Sequence, residues 1–141
     1  KKMDNKFNAF TNETKSSLVS AQEAMEKLNE KQIQTQHLLL GIIKQEESSK
    51  VKILRDLGIG YKNSFEIAKG LSDTYQDDLA HDNKNLLSVF SQKAIEVAAK
   101  VSIDFNDKMI NNHHLLYALI LQKNSGALHV LESLGVTINS L

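Results

Sequence analysis

The sequence predicts an all-α protein built as two pseudosymmetric four-helix repeats packed as one domain. Three observations predict it. The 141 residues contain no proline, the residue that helix interiors exclude. Apolar side chains recur three and four positions apart along most of the chain, the spacing of a helix with one buried face. And the chain repeats itself: a shift of 77 positions superimposes residues 10–59 on 87–136 without a gap. Identical pairs include Ala21/Ala98, Asn29/Asn106, Ile33/Ile110, His37/His114, Leu38/Leu115, Leu39/Leu116, Leu54/Leu131 and Gly58/Gly135. Two copies of this length imply two halves sharing one core, because an open solenoid needs about three repeats or more.

The elements follow in order. Residues 1–9 are polar and read as a disordered N-terminal tail. Repeat one spans 10–70, a linker spans 71–86, and repeat two spans 87–141. The first helix begins near Thr11 and runs to about Leu28, with Leu18, Ala21, Met25 and Leu28 on its buried face. Asn29 to Gln32 make the turn. The second helix, about 35–45, carries Leu38-Leu39 and Ile42-Ile43, and Thr35 reads as its cap. A third helix starts after Glu47, capped by Ser48 or Ser49, and buries Val51, Leu54 and Leu57. Gly58 supplies the left-handed residue that ends it. A fourth, about 62–69, carries Phe65, Ile67 and Ala68 and stops at Gly70. The linker holds Asp73, Asp77, Asp78 and Asp82 and has no periodicity, so it reads as exposed loop.

Repeat two restarts the plan. Its first helix, about 88–105, buries Phe90, Ala94, Val97, Ala98, Val101 and Phe105. Its core helix, about 112–122, opens at Asn112 as cap. A third, about 125–134, buries Leu128, Leu131 and Leu134 and is ended by Gly135.

Composition bounds the function. Lys+Arg and Asp+Glu both number 17, so there is no clustered positive excess of the kind nucleic acid requires. No apolar run approaches the ~20 residues that cross a bilayer, and no secretory n-region and h-region precede Phe10. Without cysteine there is neither disulfide nor thiol chemistry, which fits a reducing compartment.

The pattern Ile33-x-Thr35-x-His37-Leu38-Leu39-Leu40-Gly41, preceded by Phe10-Thr11 and Ala21-Gln22-Glu23 and given again in altered form, resembles the N-terminal (Clp repeat) domain of the Clp AAA+ unfoldases, ClpC above all. The likeness covers about Phe10 to Leu141. Repeat two departs from it at Asn112, His113, Tyr117 and Ala118, where the family has Thr, Glu, Leu and Gly. The resemblance implies an eighth helix with Asn139 as its cap, truncated here at Leu141. It also implies a receptor domain that captures unfolded or tagged substrates, or docks adaptor proteins, for an unfoldase feeding a ClpP-type protease or acting as a chaperone. The isolated domain is then a monomer and the parent a hexamer. ATP and magnesium belong to downstream modules, and this chain takes no cofactor. Similar ClpC-type domains bind phosphorylated arginine at two pseudosymmetric sites; carried over by position, the acidic residues fall at Gln36 and His113, and the capping threonines at Thr11 and Ser88. The acids that receive the guanidinium are absent from both. A standalone Clp-repeat adaptor or regulator is the alternative, and a small-molecule or metal-binding helical domain the second. The Asn- and Lys-rich composition fits an AT-rich genome, and the expected location is a bacterial cytoplasm, with a plastid or other organelle of bacterial origin second.

His37 and His114 admit a metal or catalytic reading. Their repetition at two helix starts favours a structural one, in which each ring bonds a backbone group. His113 and His114 cannot share a metal from consecutive helix positions about 100° apart. Asp77, Asp78, His81 and Asp82 lack the glycine and closing glutamate of a calcium loop. No Walker A, Gly-x-Ser-x-Gly or His-Glu-x-x-His motif occurs, so the chain is expected to be a binding domain and not an enzyme.

Overall fold

The computed structural model describes residues 9–50, 52–71 and 85–136. Within them lie seven helices: α1 (Asn12–Lys27), α2 (Thr35–Glu47), α3 (Ile53–Asp56), α4 (Tyr61–Leu71), α5 (Val89–Asp104), α6 (Asn112–Leu121) and α7 (Gly126–Ser133). Four belong to the first repeat and three to the second. The expected fourth helix of repeat two, with Asn139, lies outside the described residues, as do the tail residues 1–8 and most of the linker.

The two repeats begin alike. The Thr11 hydroxyl accepts from the Thr14 N–H at 3.2 Å and opens α1. Ser88 does the same for the Ser91 N–H at 3.1 Å and opens α5. Each hydroxyl satisfies one of the helix's orphan donors. Both helices are followed by an asparagine in the left-handed region, Asn29 at φ 59° and Asn106 at φ 60°. Asparagine tolerates that conformation better than other side chains with a Cβ.

The halves interlock at their starts. Phe10 forms an isolated parallel bridge with Ile110, and Leu87 forms its equivalent with Ile33. The beginning of each repeat is thus tied to the turn before the other repeat's core helix. The apolar core runs through both halves without a break and includes Phe10, Leu38, Leu39, Ile95, Leu115 and Leu119.

Several expected boundaries move. Thr35 and Asn112 are first helical residues; the N-caps are Gln34 and Asn111, whose backbones are extended at ψ 173° and 178°. The displaced side chains serve elsewhere. The Thr35 hydroxyl accepts from the Ala127 N–H at 3.0 Å, and Asn112 accepts from the Ser17 hydroxyl at 3.0 Å. The third helix is a single turn that neither Ser48 nor Ser49 caps, because α2 runs on to Glu47 and Ser48 closes it. The cap is delivered from a distance: the Glu46 carboxylate accepts from the N–H groups of Leu54 and Arg55 at 2.9 and 3.1 Å. Leu57 is only partly buried, and Val51 is outside the described residues. Gly70 does not end α4, which continues one residue further and sinks Leu71 into the core. The linker ends earlier than expected. Leu86 is already fixed by its carbonyl, which accepts from the Ile33 N–H at 2.7 Å. Gly58 and Gly135 hold φ +86° and +83° just past α3 and α7, where the chain leaves the helix.

The repeats are not equivalent in packing. At Gly41 an added Cβ would lie 2.0 Å from the Ser17 carbonyl oxygen, so α1 and α2 meet backbone to backbone. The matching residue of repeat two is Ala118. In repeat one, α4 lays Tyr61, Phe65 and Ala68 over Ala24, Leu28 and Leu40. In repeat two the positions matching Leu28 and Leu40 are Phe105 and Tyr117, 66% and 48% exposed. Phe105, expected in the core, therefore lies on the surface, and Phe90 and Val97 are only partly buried.

Candidate functional site

The interlock decides which site residues come together. The Thr11 N–H donates to the Ile110 carbonyl at 3.0 Å, and the Ser88 N–H donates to the Ile33 carbonyl at 3.0 Å. Thr11 therefore sits by the start of α6, on the His113 side, and Ser88 by the start of α2, on the Gln36 side. The pairing runs across the repeats. It arises from the swapped bridges, which a shift of register along one chain does not reveal.

The two corners then differ. Ser88 and Gln36 are both fully buried. The Gln36 side-chain amide donates to the Gln34 side-chain oxygen at 2.8 Å. Its own oxygen points at Gly126, where an added Cβ would come within 2.1 Å of it. α7 is thus seated on the Gln36 side chain, and that corner is closed. Gln36 and Ser88, expected among the ligand-binding positions, lie in the interior of this fold.

The other corner is open. A groove of about 270 Å³ is lined by Glu13, Ile42, Glu46, Ser49, Ile53, Asn112, His113 and Leu116. Its floor is the buried Ile42 with the partly buried Leu116, and Ile53 stands at its edge 49% exposed. Glu13 and Glu46 give the rim its negative charge, and no lysine or arginine lines it. The first amides of α6 are already used: the Asn111 side-chain oxygen accepts from the N–H groups of His113 and His114 at 2.8 and 3.2 Å. Those two amides are therefore not available to an anion. Of the groove residues, the sequence marks His113 alone as a ligand-binding position. Glu13, Glu46 and Ile53 come from other segments and carry no local motif.

The two repeated histidines close capping boxes. Nδ1 of His37 accepts from the Gln34 N–H at 2.8 Å, and Nδ1 of His114 accepts from the Asn111 N–H at 2.9 Å. Each ring returns a bond to the residue that caps its helix. Accepting at Nδ1 fixes the proton of the neutral ring on Nε2. For His114 that nitrogen meets the Asp107 carboxylate at 2.7 Å. For His37 it lies in the interior. Burial depresses the His37 pKa to about 4, and the nearby Gln32 carbonyl offsets only part of that. Among the described residues, no group of three or more His, Cys, Asp or Glu side chains is placed to hold a metal. Asp77, Asp78, His81 and Asp82 lie outside them. No helix among the described residues is long and apolar enough to cross a membrane.

A second groove of about 280 Å³, lined by Leu18, Val19, Ile33, Leu86 and Leu87 with Lys15 and Gln22, lies beside the Ile33–Leu87 bridge.

Residues 9–83 match the model of the Clp repeat N-terminal domain family. ClpC/MecB of Bacillus subtilis, named a negative regulator of genetic competence, is 28% identical over 133 residues, covering 94% of this chain and 16% of the relative. The ATP-dependent Clp protease ATP-binding subunit ClpC of Staphylococcus aureus is 27% identical over 132 residues, again covering 94% and 16%. The chain thus spans about a sixth of these relatives. The crystal structure of the N-terminal domain of the chaperone ClpD from Arabidopsis thaliana superimposes with a TM-score of 0.77. It shares 24% identity, with 94% of this chain and 92% of that one covered.

Proposed function

This chain belongs to the Clp repeat N-terminal domain family, and from that premise we propose that it is the receptor domain of a Clp-type AAA+ unfoldase. In this reading it captures unfolded or tagged proteins, or docks adaptors, and hands them to an ATP-driven ring. The observation that carries the reading is the open groove at the start of α6, apolar at its floor and charged at its rim. Such a concave, mostly apolar surface with few polar groups is what a binding domain presents. The relatives' names add the ATP-binding subunit of a Clp protease. On this proposal ATP, magnesium, the hexameric ring and a ClpP-type protease belong to the rest of the parent protein, which works in a bacterial cytoplasm.

The mass of the native gene product, read by immunoblot with an antibody to this domain, tests the parentage. A band of roughly 80–100 kDa, as expected for a chain about six times this length, supports the receptor end of an unfoldase. A band near 15.8 kDa replaces it with the standalone adaptor.

A further inference from the structure

The repeat supplies an internal control for the groove. Each lining residue has a counterpart 77 positions away. Ile53, 49% exposed, corresponds to Val130, which is fully buried. Leu116, partly buried, corresponds to Leu39, also fully buried. His113 corresponds to Gln36 and Ser49 to Gly126, the pair that abuts at the closed corner. Glu13 and Glu46 correspond to Phe90 and Lys123. The cause of the difference lies in the third helices. α7 begins at Gly126, but α3 begins at Ile53, four positions later than the residue that matches Gly126. The missing turn of α3 leaves the space that α7 fills on the other side.

Resting on the receptor reading, we propose that this domain is a one-site receptor whose groove takes an extended peptide presenting an apolar side chain beside an unmodified arginine or lysine. The apolar side chain enters the floor of Ile42 and Leu116 and is covered by Ile53. The cationic side chain lies over Glu13 and Glu46. Charge complementarity selects the cation: both rim charges are carboxylates, and no lining side chain is a lysine or arginine. At the twin corner the positions matching the two carboxylates are Phe90 and Lys123, and Gln36 packs against Gly126, so only one of the two paired corners takes the peptide. A phosphorylated arginine brings its dianionic phosphate to the same carboxylates and is repelled.

The test is a titration of the folded chain with a fluorescein-labelled ten-residue peptide holding Leu between two Arg in a Gly/Ser background. Saturable binding at one peptide per chain is expected, weakening several-fold between 50 and 300 mM salt on the order expected for exposed charges. Glu13→Lys and Ile53→Ser, both at exposed positions, each weaken it about tenfold or more. The same peptide with Glu for Arg does not saturate. Two peptides per chain, equal binding of the Glu peptide, or indifference to both variants overturns the proposal. A carboxymethylated, permanently unfolded protein separates the two levels. If the wild type captures it and the Glu13→Lys/Ile53→Ser double variant captures it equally, the groove is wrong and the receptor reading stands. If the wild type captures neither probe, both fall.

Discussion

Phe10 pairs with Ile110 as a single parallel bridge: the Ile110 N–H donates to the Ala9 carbonyl at 2.8 Å and the Thr11 N–H donates to the Ile110 carbonyl at 3.0 Å. Its pseudosymmetric twin joins Leu87 to Ile33. Neither repeat owns both halves of either bridge, so neither is expected to fold by itself. Equilibrium unfolding of the chain is expected to be a single transition, coincident by circular dichroism and tyrosine fluorescence. A fragment of residues 9–71 should show no cooperative melt. Phe10→Ala removes a ring that is 1% exposed and should cost about 3–5 kcal/mol in urea titrations. Two separated transitions, or a fragment that melts cooperatively, contradict this.

Close helix approach gives a second expectation. Gly41→Ala drives a methyl group into the Ser17 carbonyl, and backbone cannot rotate aside. A loss on the order of 3 kcal/mol follows from overpacking of this kind. Ala118→Gly, at the matching position of repeat two, should cost only about 1 kcal/mol. Thermal melts of the two variants side by side check the contrast, and equal losses would count against it.

Gly126→Ala meets a side chain instead. The new methyl collides with the buried Gln36 amide, which has no open space to enter. Destabilisation of about 1–3 kcal/mol is expected. Gln36→Ala in the same chain should recover a large part of it, because it removes the atoms that clash. A double-mutant cycle with no coupling between these sites would show that α7 is not seated on Gln36.

Much of this fold was legible from the repeat and from spacing. The 77-residue shift, the core helices and the glycines after α3 and α7 need only local rules, and those rules hold. Errors arose where a partner distant in sequence decided the outcome. Ser48 and Ser49 looked like caps for α3, but Glu46 reaches across eight and nine positions to do that work. Phe105 has the helical spacing of a core residue, four and seven positions after Val101 and Ala98; in repeat one α4 packs over the matching Leu28, whereas Phe105 is 66% exposed. Thr35 looked like a cap and instead serves the Ala127 N–H, 92 residues away. The site suffered most. Gln36 and His113 are equivalent in sequence, yet one is buried and the other exposed, because α7 and α3 start at different points.

The same asymmetry bears on phosphoarginine. At the Gln36 corner the side chain offers a neutral oxygen inside a closed interior. At the His113 corner the first amides of α6 are already bonded to Asn111, and the rim is acidic. The Gln36 corner has no anionic acceptor for the guanidinium, and at the His113 corner two of the helix amides are engaged and the carboxylates of Glu13 and Glu46 oppose the phosphate. Titration of free phosphoarginine by calorimetry should give no saturable heat. Micromolar binding at either corner would overturn this, and crystals soaked with the ligand would identify which.

His37 makes stability depend on pH in a defined direction. Its ring is fully buried and neutral, and burial lowers its pKa from the ordinary 6.5 to about 4. Between those values the unfolded chain holds a proton that the folded chain refuses. Stability must therefore rise with pH across this window and fall as the solution is acidified through it. Above pH 6.5 both states are neutral and the contribution is complete; below pH 4 both are protonated and the loss is finished. The full span amounts to about 3 kcal/mol at 1.36 kcal/mol for each unit of pKa. Other groups titrate in the same range, so the wild type alone cannot isolate the effect. His37→Gln can. Glutamine at this third helical position still reaches the backbone N–H of Gln34, as in a capping box, but carries no titratable proton. Urea unfolding of both proteins from pH 7.5 to 4 gives the comparison. At pH 7.5 the variant should be equal to or somewhat less stable than the wild type. The difference should shift in favour of the variant by about 3 kcal/mol as pH falls to 4, with most of the change between pH 6.5 and 4.5. A difference that stays flat with pH would place the His37 proton equilibrium in the unfolded and folded states at the same value, and the ring would then be open to water.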